Sequence, residues 1–337
     1  MTNGLSQHYD ALLVVSFGGP EGIEDVIPFL ENVLRGKNVP PERMRGVAKH
    51  YEMFGGVSPI NDQNRKLIAA LKQELTVNGP DLPIYWGNRN WHPLLTDTLK
   101  EMTRDGVQRA LAFVTSAYSS YSSCRQYLEN IAVAREEAGP NAPQVEKLRA
   151  FYNHPLFIEA NAANVADALL RVPAVTRSSA QIVFTAHSLP QTMADQCDYA
   201  AQLEEASRLV AERVGYPRWQ LVYQSRSGSP AQPWLGPDVL ERLRELKTKG
   251  VTDVVLAPIG FVSDHMEIVY DLDTEARQLS EELGLNMVRA LTAGTHPAFV
   301  KMIRELILER VDGIEPRFLG SRGLAHGVCP PGCCLKS

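Results

Sequence analysis

The sequence predicts an α/β protein whose parallel sheets carry helices on both faces, and three observations support that expectation. Short apolar, β-branched runs recur along the chain. Amphipathic stretches of helical length lie between most of them, and alternation of this kind builds parallel sheets. The length of 337 residues exceeds what one core ordinarily covers, so two domains of about 150 residues each are expected.

The first strand is expected at 11–16, where Ala-Leu-Leu-Val-Val-Ser is apolar without alternation, as a strand covered on both faces would be. A glycine turn follows at Gly18-Gly19. It lacks the G-x-G-x-x-G spacing of a dinucleotide site and the G-K-[ST] of a phosphate loop. A helix at 64–74, a strand at 84–87, a helix at 93–105, a strand at 110–116 and a helix at 124–138 continue the alternation.

Gly139-Pro140 and Asn141-Ala142-Pro143 then break the pattern, and a loose boundary falls between 140 and 175. A helix over 157–170 precedes strands at 181–186, 220–224 and 251–258, with helices at 199–214 and 237–248 between them. Another helix should start at Asp264, because Asp264 and Glu267 have capping-box spacing. The last long helix is expected at 297–311. The resulting partition is 1–155, 156–296 and a tail at 297–337 that packs back on the core.

Apolar residues at 44%, charged ones at 22% and a formal charge of -5 describe an ordinary globular chain and argue against nucleic acid as a partner. The first ten residues lack a basic n-region followed by an apolar stretch, and no run reaches the roughly 18 apolar residues of a membrane span. The chain reads as cytoplasmic, with peripheral membrane contact left open. Five cysteines, three of them within 329–334, suit a metal or cluster site in a reducing compartment better than a disulfide framework.

Four stretches could carry chemistry. Phe184-Thr-Ala-His-Ser-Leu-Pro190 delivers His187 at the carboxyl end of a buried strand, where open α/β sheets bind ligands, and an imidazole there titrates near neutrality. Taken alone, a packed structural histidine fits equally well. Glu267, Asp271 and Glu275 fall at i, i+4 and i+8, one helix face that stability alone would avoid. That face is either solvated or a cation and proton path ending at Glu267 beside His265, and carboxylate plus imidazole suits ferrous iron.

The loop 224–237 carries Trp234, a flat face for an aromatic ligand or plain packing. Cys329-Pro-Pro-Gly-Cys333-Cys334 supplies three local thiols for a site that wants four. Cys124 and Cys197 are the candidates for the fourth.

Ser16-Phe-Gly-Gly-Pro-Glu21, Phe54-Gly-Gly-Val-Ser-Pro-Ile60, Phe184-Thr-Ala-His-Ser-Leu-Pro190, Gln224-Ser-Arg with Pro233-Trp-Leu-Gly-Pro237, and Ser263-Asp-His-Met-Glu267 together resemble ferrochelatase. The blocks keep the family's order over residues 12–275. The resemblance implies two Rossmann-like, chelatase-type domains, each a parallel four-stranded sheet flanked by helices, with a porphyrin in the cleft between them. It implies insertion of Fe²⁺, the iron substrate, with release of two protons to form haem or coprohaem.

By motif, His187 stands as the catalytic, metal-handling histidine and Glu267 as its partner carboxylate across the macrocycle, with Asp264, His265 and Asp271 in support. Phe17, Ser58, Tyr118, Tyr121 and Trp234 stand where the porphyrin would bind. The tail resembles the C-terminus of the [2Fe-2S] ferrochelatases, implying a cluster held by Cys124, Cys329, Cys333 and Cys334.

The segment before the G-G-x-S-P-I block is apolar in membrane-bound relatives, whereas here it carries Arg35, Lys37, Arg43, Arg45 and Lys49. A basic lip suits coproporphyrin III, with four propionates to protoporphyrin IX's two. Expected partners are porphyrin, ferrous iron and other haem-pathway enzymes. Two other readings are a chelatase for another tetrapyrrole and a non-catalytic haem carrier; a buried carboxylate at Glu267 counts against the carrier.

Overall fold

The computed structural model describes residues 8–36, 39–227, 231–330 and 332–335. Lys37 of the basic lip lies outside the described residues. Two four-stranded parallel sheets repeat one topology. The first contains β1 (Ala11–Ser16), β2 (Ile84–Asn88), β3 (Arg109–Val114) and β4 (Gln144–Lys147), in the order β2-β1-β3-β4. The second contains β5 (Gln181–His187), β6 (Trp219–Gln224), β7 (Asp253–Ala257) and β8 (Asn286–Arg289), in the order β6-β5-β7-β8.

The central strands show why those runs are mostly apolar with no alternation. All six residues of β1 and all five of β7 are buried, because helices cover both faces. The helix Pro297–Val311 packs against Ile60–Asn78 and Pro155–Leu170, and Phe299 meets Phe113, Phe151 and Phe157 at ring-centroid distances of 5.9 to 6.2 Å. One apolar core therefore runs from Leu12 and Phe113 of the first sheet to Phe184 and Val255 of the second. Among the described residues, no helix is long and apolar enough to cross a membrane.

The expected capping box does not form. The helix begins at Met266 with His265 at its cap position. The Asp264 carboxylate is taken by the Arg289 guanidinium at 2.9 Å and the Thr292 hydroxyl at 3.1 Å, while the Asp264 N–H donates to Gln63 Oε1 at 2.7 Å. The acidic face is also not a plain α-helical row, because Asp271–Ala276 is a wide π-helical turn. Such turns redirect side chains and recur at functional sites. Asp271 is turned inward while Glu275 is exposed.

The tail is held through buried polar groups of both halves, Asn153 and Glu205. The Asn153 carbonyl accepts the Leu319 N–H at 2.9 Å, and its side-chain amide donates to the carbonyls of Leu319 (3.1 Å) and Gly323 (2.8 Å). Glu205 accepts the N–H groups of Ser321 and Arg322. Gly320 sits at φ +79, where a Cβ would fall 2.4 Å from Glu205 Oε1, so glycine is required there.

Candidate active site

The carboxyl ends of β5 and β6, with the loop after β7, converge on one group of side chains. His187 is the last residue of β5, paired in register with Gln224 of β6. The loop after β7 comes close enough for the Gly260 N–H to donate to the Thr185 carbonyl at 3.0 Å, and it leads to His265 and Glu267. His187 Nε2 stands 3.4 Å from Glu267 Oε1, and Glu267 Oε2 stands 3.7 Å from His265 Nε2. The His187 and Glu267 side chains are 30% and 43% exposed, so Glu267 is not the buried carboxylate expected; it is half open to solvent.

Their charges are mutually set. Burial would lower the His187 pKa, but the Glu267 charge and hydrogen bond, the Ser188 carbonyl and Asp271 raise it to about 9. Nδ1 lies 2.5 Å from the Ser188 carbonyl, which only accepts, so that nitrogen carries a proton. Partial desolvation would raise the Glu267 pKa, but the charge of His187, its hydrogen bond and His265 lower it to about 2. Burial holds His265 below the usual histidine value against the pull of Glu267. The result is an imidazolium–carboxylate pair with a neutral imidazole beside it.

At 3.4 Å the His187–Glu267 contact leaves no room for a macrocycle. The expectation that the two residues face each other across the ring does not fit this contact: they stand side by side.

Two residues without a sequence-derived role complete the group. Gln224 is 1% exposed, and its amide donates to the Glu267 carbonyl (2.9 Å) and to Asp271 Oδ2 (3.4 Å). Ser225, at φ +60, gives its hydroxyl to the same carboxylate oxygen. Burial, with Glu267 and Glu275, raises the Asp271 pKa to about 7 against the Ser225 hydrogen bond. The sequence signal was present, since both residues follow a strand as His187 does. On another side, the helix Pro41–Glu52 packs on Met266–Tyr270, with His50 stacked on Tyr270 at 3.6 Å.

The residues expected at the porphyrin divide. Trp234 adjoins the site: it bridges Pro190, and Leu235 bonds the Leu189 carbonyl at 2.9 Å just after His187. Its buried indole N–H has no protein partner. Phe17 is half-buried, with the Arg89 guanidinium 5.6 Å from its ring centre. Tyr121 is partly exposed and donates to Glu129 at 2.8 Å.

Ser58 and Tyr118 are 4% and 1% exposed. Ser58 lies beneath Gly19, and Tyr118 is enclosed by Tyr152, Phe157 and Tyr199. Neither presents a surface to a ligand, so both support the wall instead of lining it.

The tail returns its thiols to the turn Tyr121–Arg125. Cys124 and Cys329 have Sγ atoms 3.9 Å apart, and Cys333 and Cys334 3.5 Å apart. Two thiolates sharing one tetrahedral ion at about 2.3 Å stand about 3.8 Å apart, a spacing that the Cys124–Cys329 pair approaches and the Cys333–Cys334 pair falls short of. Cys197 instead donates to the Met193 carbonyl at 3.3 Å. Among the described residues, no group of three or more His, Cys, Asp and Glu side chains is disposed to hold a metal ion.

A family model described as ferrochelatase matches residues 9–311. The chain is 59% identical over 329 residues to a ferrochelatase of Rhodopirellula baltica, covering 97% of this chain and 93% of that relative. It is 51% identical over 349 residues to a coproporphyrin III ferrochelatase of Streptomyces coelicolor, with coverage of 97% and 93%. Among solved structures, SirB from Bacillus subtilis with Fe³⁺ matches with a TM-score of 0.56 at 13% identity, over 92% of this chain and all of that one. That likeness is one of fold.

Proposed function

Since the chain belongs to the ferrochelatase family, a family of lyases that insert ferrous iron into a porphyrin, we propose that its ring is coproporphyrin III and that His187 and Glu267 act on it from one face. The observation that carries the site assignment is the His187–Glu267 pair at 3.4 Å, at the carboxyl ends of a parallel sheet where ligands bind. The coproporphyrin assignment draws on Arg35, Arg43, Arg45 and Lys49, exposed on the segment that packs beside the site. It draws also on relatives of about half identity that are named for that substrate.

Metallation exchanges two pyrrole protons for one dication, and the resting pair is suited to the exchange. Fe²⁺ approaching Glu267 repels the neighbouring imidazolium, whose raised pKa depends on that carboxylate. His187 then gives up its proton and meets the iron as a neutral donor. A site of one carboxylate and one imidazole, with His265 behind, holds the ion weakly enough to release it to four ring nitrogens. As the iron moves to the ring, the vacated His187 accepts one pyrrole proton and the Glu267 carboxylate, freed of the ion, accepts the other. Asp271, held near neutrality, passes protons outward, and Gln224 and Ser225 keep its carboxyl aimed at the site.

A porphyrin bent out of plane by remote contacts would expose its nitrogen lone pairs, and in this reading Phe17 and Trp234 provide such contacts. A planar carrier site would need no proton path, which separates this reading from haem storage.

The cysteine geometry supports a second element: a [2Fe-2S] cluster held by Cys124, Cys329, Cys333 and Cys334. When bound, it would join the tail to the Tyr121–Arg125 turn as a structural cross-link. Competing coproporphyrin III with protoporphyrin IX at equal concentration tests the substrate assignment. A kcat/KM ratio favouring coproporphyrin by tenfold or more is expected, and a ratio of one or below overturns it.

A further inference from the structure

Two buried phenols end on the backbone of the site, and no step of the mechanism uses them. Tyr199, 5% exposed, donates to the His187 carbonyl at 3.0 Å. Tyr118, 1% exposed, donates to the Ile259 carbonyl at 2.8 Å, in the loop that runs on to His265 and Glu267. The rings meet edge to face, with centroids 6.0 Å apart at 80°.

The two phenols belong to one rigid unit. Tyr199 begins the helix Tyr199–Val214, and Gln202 of that helix accepts the Ser119 N–H at 2.8 Å and donates to the Ser119 hydroxyl at 3.1 Å. The loops they hold are also in backbone contact, since a Cβ on Gly260 would fall 2.5 Å from the Cβ of Ala186. Phenylalanine would fill the same apolar space, so packing alone does not account for a hydroxyl at both positions. The carbonyls do: each is an acceptor at or just beyond the end of a strand, the Ile259 one buried and the His187 one partly so, and the phenol satisfies it.

We infer that Tyr118 and Tyr199 are a pair of positioning residues that hold the Ile259 and His187 carbonyls and thereby set the contact between the His187 imidazole and the Glu267 carboxylate. Burial, the larger influence on each, raises both phenol pKa values well above the ordinary range, so both remain O–H donors wherever the protein is folded. The inference rests on the reading of His187 and Glu267 as the reacting groups.

The test is single-turnover iron insertion by porphyrin-saturated Tyr118→Phe and Tyr199→Phe, with His187→Ala in parallel and porphyrin KM from steady state. Saturation counts only folded molecules, so a variant of low yield still gives an answer. Each phenylalanine variant is expected to lose about tenfold in rate with KM unchanged, a split that a general loss of stability does not produce. Wild-type rates in both variants, beside a slow His187→Ala, overturn the positioning role alone. A near-normal rate for His187→Ala removes instead the reading on which that role rests.

Discussion

His187 and Glu267 form an ion pair at 3.4 Å at the carboxyl end of the second sheet, and the proposed mechanism has them act on the ring from one side. The charges of the pair have consequences that can be measured without substrate.

Stability should follow pH through this pair. His187 has its pKa raised from 6.5 to about 9, so its contribution is complete below about 6.5 and is lost as pH rises through 9. Glu267 is lowered from 4.5 to about 2, so its contribution is complete above about 4.5 and is lost as pH falls toward 2. The Tm deficit of His187→Ala relative to the parent should therefore be largest between about pH 4.5 and 6.5 and shrink toward pH 9. Thermal melts across pH 4 to 10 check this, and a deficit that does not vary with pH contradicts it.

Asp271 must be ionised to take a proton from the site, and its pKa is raised to about 7. The rate of iron insertion should rise with pH through that value. Asp271→Asn should lose this limb and run at least about tenfold slower on the plateau. A kcat–pH profile of the asparagine variant that keeps the parent's ionisation assigns that ionisation to another group.

The two cysteine pairs should behave as one site. Anaerobically purified protein is expected to contain iron and acid-labile sulfide and to absorb beyond the aromatic band. Cys124→Ser should lose these signals and Cys197→Ser should keep them. Absence of iron and sulfide from the parent rules out the cluster.

Much of the fold was legible because its central strands are buried on both faces. The runs at 11–15, 182–184 and 254–257 are apolar throughout, and a continuous run between turn formers has few other readings. The edge strands β4 (Gln-Val-Glu-Lys) and β8 (Asn-Met-Val-Arg) were not assigned, since half-exposed edges carry no such run. The helix Pro41–Glu52 also went unassigned, because Ala48 is its one buried residue and no apolar stripe marks it.

In the site, His187 and Glu267 were readable from a strand end and a motif. Asp264 was misread because Arg289, which takes its carboxylate, lies 25 residues away, beyond any local pattern. The wide turn at Asp271–Ala276 likewise leaves an α-helical spacing intact in sequence while moving Glu275 out to solvent. Tyr118 stood in the right segment for a ligand wall, and only tertiary packing turns it into the core.

The central claim is that His187 and Glu267 work as one unit on one face of the porphyrin. Single-turnover iron insertion by His187→Ala, Glu267→Gln and the double variant tests it most directly. Each single variant should lose at least about 100-fold, and the double variant should be no slower than the slower single one, as for groups that act together. A near-normal rate for His187→Ala, or losses that multiply in the double variant, would contradict it.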